Sequence, residues 1–141
     1  MDWTIESLAL RDYEAVIAFW QSQEGIGLNE SDDRASIERY LLRNPGMSFV
    51  ARNRLGAIIG AVLCGHDGRR GYLHHLAVEN ACRRRGLGKM LVERCLSQLA
   101  ASGIPKCNIF LFNDNENGRH FWERLGYRDV NWSPMQRVIE G

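Results

Sequence analysis

The sequence predicts an α+β domain built on a mixed, mostly antiparallel sheet, and three observations carry that prediction. Short apolar runs of strand length alternate with segments of helical periodicity in the order β-α-α-β-β-β-α-β-α-β. Three consecutive strand-like runs between Met47 and Val78 are joined by tight turns, which makes an antiparallel meander. The last of these, Tyr72 to Val78, connects to Lys106 to Phe112 through a full amphipathic helix, so these two strands run parallel in a right-handed crossover.

Each element has its own signal. Asp2 to Leu8 alternates, with Trp3, Ile5 and Leu8 as its apolar members. From Asp12 to about Gln23, Tyr13, Val16, Ile17 and Trp20 form one apolar stripe of a helix that Gly25-Ile-Gly27 stops. An acidic loop, Leu28 to Asp33, feeds a second helix in which Ile37, Tyr40 and Leu41 share a face and which Asn44-Pro45-Gly46 ends. Ser48 to Arg52 and Ala57 to Cys64 flank the turn Asn53-Arg-Leu-Gly56, and a second turn spans His66 to Gly71. The third helix buries Leu87, Leu91, Val92, Cys95, Leu96 and Leu99 and ends at Ser102-Gly103. Lys106 to Phe112 is almost continuously apolar, the pattern of a strand covered on both faces. A last helix spans about Glu116 to Leu125 with Gly126 as its cap, and Tyr127 to Val138 supplies one or two edge strands.

Composition narrows the function classes. A chain of 141 residues, 45% hydrophobic and 25% charged, fits one domain, residues 1–141, with a single core. Its longest apolar run, Leu55 to Cys64, is about half of what a membrane helix needs. With no basic, apolar leader at the start, a cytoplasmic location is expected. Cys64, Cys82, Cys95 and Cys107 form no Cys-x-x-Cys pair, so reduced thiols are expected and no metal site. The net charge of +1 argues against nucleic-acid binding, but it hides an asymmetry. Met1 to Gly46 holds nine acids and four basic residues, and the rest of the chain reverses the balance. Such a division suits one cationic and one anionic ligand.

The anion has an obvious place. After Tyr72 to Val78 come three arginines, two glycines one residue apart and the start of a helix, Arg83-Arg-Arg-Gly86-Leu-Gly88-Lys89. Helix-end N–H groups, close backbone approach at glycine and arginine charge make an anion cradle. It is not a P-loop, because Arg83 and Met90 stand where Gly and Ser or Thr are needed. A dinucleotide fingerprint fails at Leu91, where a third small residue belongs.

The segment fits Arg/Gln-x-x-Gly-x-Gly/Ala directly after a strand ending in Leu-Ala-Val, and here the chain resembles the GNAT superfamily of acetyl-CoA-dependent N-acetyltransferases. Asn115-x-x-Gly118-x-x-Phe121-Trp122-Glu-Arg-Leu125-Gly126-Tyr127 resembles the family's second block. The resemblance covers essentially the whole chain. It implies a sheet with a central splayed parallel strand pair and about four helices, and direct transfer of acetyl from acetyl-CoA to a primary amine of a small molecule, protein or peptide.

By this resemblance Arg83, Arg84, Arg85, Gly86, Leu87, Gly88 and Lys89 bind the pyrophosphate. Leu76, Ala77 and Val78 offer a strand edge to the pantetheine arm, Asn115 contacts that arm, and Trp122 walls the pocket or packs in the core. The implied partners are acetyl-CoA and an amine acceptor, with a homodimer left open and neither nucleic acid nor membrane.

Two departures from the family pattern bear on catalysis. Trp122 replaces a tyrosine that can protonate the leaving thiolate, and Lys106 to Phe112 lacks the glutamate some relatives use. They leave a non-catalytic acyl-CoA-binding module as the alternative to an enzyme. The polar groups near the expected thioester are Tyr72, His74 and His75. One histidine is expected to act as base, directly or through water. On a regular strand Tyr72 and His74 share a face and His75 opposes them, unless a bulge changes the order. Glu24, Glu30, Asp32 and Asp33 are expected on the acceptor side.

Overall fold

The computed structural model describes residues 2–140. They form two compact units, one running to Phe110 and one beginning at Leu111. The first unit contains β1 (Trp3–Ser7), α1 (Tyr13–Gln21), α2 (Arg34–Arg43), β2 (Phe49–Asn53), β3 (Ile58–His66), β4 (Gly71–Val78), α3 (Leu87–Ala101) and β5 (Cys107–Ile109). The strands pair in sequence order. All neighbours are antiparallel except β4 and β5, which are parallel.

The two faces of the sheet are covered by different helices, and strand alternation decides which residues meet which helix. Val50, Ala61, Leu63 and Ala77 form one buried cluster with Val16, Phe19 and Trp20 of α1 and Ile37 of α2. Gly60, one residue before Ala61, points the other way: a Cβ there would lie 3.1 Å from Leu91 and 3.3 Å from Leu87 of α3. At Gly71 a Cβ would come within 2.5 Å of the buried Leu99. Glycine at these two positions lets α3 lie close against the sheet, its N-terminus directed toward the end of β4.

Polar ties hold the edges. The Arg52 guanidinium donates to Glu6 at 2.7 Å and to buried Asp12 at 2.6 Å, which joins β2 to β1 and to the entry of α1. Buried Asn44 accepts from the His66 N–H at 3.0 Å, so the end of α2 is fixed to the end of β3.

The second unit holds α4 (Glu116–Arg124). Asn115 caps it by accepting from the Gly118 N–H at 2.9 Å, and Gly126, at φ 94°, closes it in the left-handed region. An ion pair of 2.6 Å joins Arg119 to Asp129.

The expected elements through α3 form, with ends displaced by one or two residues. Two expectations are corrected. Lys106 to Phe112 is not a long strand covered on both faces: β5 has three half-buried residues, and Phe110 and Phe112 are exposed. The expected edge strands in Tyr127 to Val138 do not form either, since residues 128–140 pair with no strand among the described residues. Pro134 lacks the N–H a ladder needs, and Asn131 to Ser133 interrupts the apolar pattern. The parallel pair therefore lies at one end of the described strand order, with β5 as the edge.

Leu91 is fully buried between α3 and the sheet. Leu91→Ala should lower the unfolding free energy by about 2–5 kcal/mol in urea denaturation, with an unchanged m-value.

Candidate active site

β4 departs from a regular strand in two ways. Against β3, Ala61 pairs with Ala77 but Leu63 pairs with His74, so β4 carries one extra residue at this point. The extra residue is accommodated where His75 adopts φ 57°, an unusual conformation for a residue with a side chain. Against β5, pairing stops at Leu73 with Ile109, although β4 continues to Val78. From His74 onward the edge of β4 on that side has no strand partner among the described residues.

The bulge reorders the side chains. His74 lies edge-on to Tyr40 of α2, with ring centroids 6.2 Å apart. His75, which strict alternation would send to the opposite face, instead meets Trp20 of α1 at 5.2 Å, and its Nε2 lies 2.9 Å from Oδ1 of Asp32. Both histidines thus face α1 and α2. Tyr72 and Phe110 stand parallel to His74, all three pairs of centroids being 6.0 to 6.4 Å apart.

Asp32 differs from the other acids expected on the acceptor side: it is 6% exposed and paired with a histidine 43 positions away. Its Oδ2 accepts from the Asn29 N–H at 3.0 Å, and its carbonyl accepts from the Tyr13 hydroxyl at 2.8 Å. Glu24, Glu30 and Asp33 of the same connection are exposed. Asp33 caps α2, and the Ser36 N–H it accepts holds its carboxyl below the ordinary range. Trp20, Tyr40 and Phe110 also surround the histidines; Trp20 and Tyr40 appear in the sequence only as helix-stripe residues.

The cradle follows β4 through a one-turn 3-10 segment, Asn80–Cys82. Arg84 at φ 65° and Gly86 at φ 88° turn the chain sharply into α3. No side chain caps α3 and its first turn holds no acid. The first helical bond is Met90 N–H to Gly86 C=O at 3.0 Å, which leaves Leu87, Gly88 and Lys89 as the orphan N–H donors of the helix end. Arg83 donates to the Val78 carbonyl at 3.1 Å, and Arg85 donates to Asp2 at 2.9 Å while lying over the Trp3 ring. Arg84 is exposed, and its side chain has no partner among the described residues. The predicted residues from Tyr72 to Lys89 are therefore brought together as one continuous strand edge and helix entry.

The remaining two predicted residues belong to the second unit. Asn115 is exposed and caps α4, its side chain filling the space a Cβ on Gly118 would take. Trp122 is packed edge to face by Phe121 at 5.1 Å and Tyr127 at 5.0 Å. Among the described residues no group of three or more His, Cys, Asp or Glu could hold a metal ion. A cavity of about 380 Å³ between α1 and the β2–β3 turn is lined by Phe19, Arg52, Ile58 and Glu79, among others. None of Tyr72, His74 or His75 reaches it.

Burial pushes the pKa of His74 below the ordinary 6.5; the neighbouring His75 adds to this and Asp32 opposes it. The unfolded chain therefore binds more protons than the folded one between the two values. This stabilising contribution is complete above about pH 6.5 and is lost as pH falls through the folded-state value. His74→Gln should flatten the decline in Tm between pH 7 and pH 5 relative to the unmodified chain, read by thermal denaturation across that range.

A parallel strand pair whose pairing stops beside an uncapped, arginine-flanked helix end suits an extended anionic ligand. Residues 11–127 match the model of the acetyltransferase (GNAT) family. An acetyltransferase of Pectobacterium atrosepticum is 34% identical over 130 residues, which cover 92% of this chain and 91% of that one. Among solved structures, Ard1 from Thermoplasma volcanium aligns with a TM-score of 0.79 at 19% identity, over 92% of this chain and 85% of that one. The PaiA N-acetyltransferase from Thermoplasma acidophilum, in complex with coenzyme A, aligns with a TM-score of 0.78 at 17% identity, over 94% of both. These two likenesses show the fold. The chain belongs to the GNAT acetyltransferase family, and it is an acyltransferase whose acetyl donor is acetyl-CoA.

Proposed function

We propose that the chain, acting as a single N-acetyltransferase domain, transfers acetyl directly to a primary amine of a small molecule, protein or peptide. The observation that carries this reading is the bulge at His75, which presents two imidazoles beside the open edge of β4. The family match runs through both units, which supports the single domain. Cys64 and Cys95 are buried free thiols, which supports the reading of a cytoplasmic location.

The residues present fit acetyl-CoA. The orphan N–H groups of Leu87, Gly88 and Lys89 suit a pyrophosphate, with Arg83, Arg84 and Arg85 supplying charge. Leu87 is buried, so its side chain anchors the helix while its backbone serves the anion. The unpaired edge at Leu76, Ala77 and Val78 suits the amides of the pantetheine arm. Asn115 and Trp122 hold their cofactor role on the resemblance of their helix to the family's second block.

Acetyl-CoA supplies an activated acetyl thioester. The chain's task is to deliver a neutral amine to it, because an amine of pKa about 10.4 is protonated at neutral pH. His75 is the base. Its Nε2 is engaged by Asp32, and Nδ1 takes the proton from the acceptor ammonium, directly or through water. Tyr72, His74 and Phe110 form an aromatic wall beside it. Exposed Glu24, Glu30 and Asp33 favour a cationic acceptor.

A panel of amines and peptides, monitored by release of free thiol from acetyl-CoA, tests the reaction and names the acceptor. With that acceptor, His75→Gln should lower kcat by about 10²-fold or more and His74→Gln much less. Unchanged kcat and pH profile in both variants would remove the histidines from the chemistry. Arg84→Ala should raise KM for acetyl-CoA about tenfold with little change in kcat, the loss of one charge-assisted hydrogen bond of about 1.5 kcal/mol.

A further inference from the structure

We propose that Asp32 is a positioning residue for His75, holding its imidazole with the proton on Nε2 so that Nδ1 is the atom left to accept a proton. The proposal deepens the reading of His75 as base and rests on it.

Three observations converge on this pair. The first is the hydrogen-bond geometry of the carboxyl group. Asp32 has a side chain only 7% exposed, and an ionised carboxylate only accepts hydrogen bonds. With Oδ2 on the Asn29 N–H, Oδ1 at 2.9 Å from Nε2 requires the hydrogen to lie on Nε2. A neutral His75 then carries its lone pair on Nδ1.

The second is how firmly both partners are held. The Tyr13 hydroxyl donates to the Asp32 carbonyl at 2.8 Å, fastening the Glu30–Asp32 turn to α1. Fully buried Trp20, also on α1, sets its ring edge-on to the imidazole at 5.2 Å. Ring plane and carboxylate are thus both referred to α1. The groups facing His75 are Asp32 from the turn, Trp20 from α1 and His74 from β4 itself.

The third is the backbone. A residue with a side chain at φ 57° is held in a conformation that costs about 1–3 kcal/mol. Glycine would occupy it without that cost, yet a histidine stands there and meets the buried acid. The strained residue is the one whose ring the bulge turns to Asp32. A purely structural ion pair would stabilise the turn equally with either nitrogen toward Asp32, so the choice of nitrogen is what separates the two roles.

The test begins with the unmodified protein, labelled with ¹⁵N-histidine. Long-range ¹H–¹⁵N spectra collected as pH rises should show neutral His75 with a protonated Nε2 and a bare Nδ1; a protonated Nδ1 overturns the proposal. Asp32→Asn follows, since its amide can present either oxygen or N–H to the ring and so releases the choice of tautomer. This variant should gain the Nδ1–H form and lose kcat by about tenfold or more at saturating substrates, with KM for acetyl-CoA unchanged within about twofold. Full kcat in Asp32→Asn alongside a crippled His75→Gln overturns the positioning role alone. Full kcat in His75→Gln overturns the base reading, and the positioning role with it. Should Asp32→Asn fail to fold, the measurement on the unmodified protein still decides the tautomer.

Discussion

One extra residue in β4 governs the rest of the site. Because side chains alternate along a strand, an unbroken β4 would place His74 and His75 on opposite faces, one toward α2 and the other toward α3. The bulge turns both to the side of α1 and α2. It also shifts the register of everything after it, so that Ala77, rather than a neighbour, joins the core opposite Ala61. The placement of the two histidines and the closure of the core thus depend on the same local irregularity. A deletion that regularised the strand would disturb both.

The site divides its electrostatic work along the chain. The cradle gathers charge at the surface, where Arg83 to Arg85 and Lys89 are exposed and the helix end adds its own partial charge. The Asp32–His75 pair is enclosed instead, with the acid buried and the imidazole ring edge-on to an indole. Surface charge attracts an anionic ligand from a distance and is weakened by salt. A buried pair is shielded from that screening, so binding and chemistry should respond differently to ionic strength.

Much of this was legible in the sequence. Periodicity located the meander and α1 to α3, since burial on one face writes itself directly into spacing. The turn into α3 was equally readable, because glycine, arginine and a helix start are local features. The bulge and the Asp32–His75 pair were not, since both follow from register between segments distant in sequence. Asp32 resembled its neighbours Asp33 and Glu30 in composition alone; only the packing of α1 and α2 separates a buried acid from two exposed ones. The failed edge strands show the converse. Val130, Trp132, Val138 and Ile139 have the residue types of a strand, but type without a partner makes no ladder.

The absence of side chains at Gly60 and Gly71 reaches further than core packing. By letting α3 lie against the sheet, these glycines help to set the height at which the helix rides over β3 and β4. In the reading proposed above, the helix-end amides hold a phosphate and the edge of β4 holds the rest of the same ligand, so that height would enter the length of ligand the site accepts. A methyl group added at either glycine would press on leucine side chains of α3, on Leu91 and Leu87 from Gly60 and on Leu99 from Gly71.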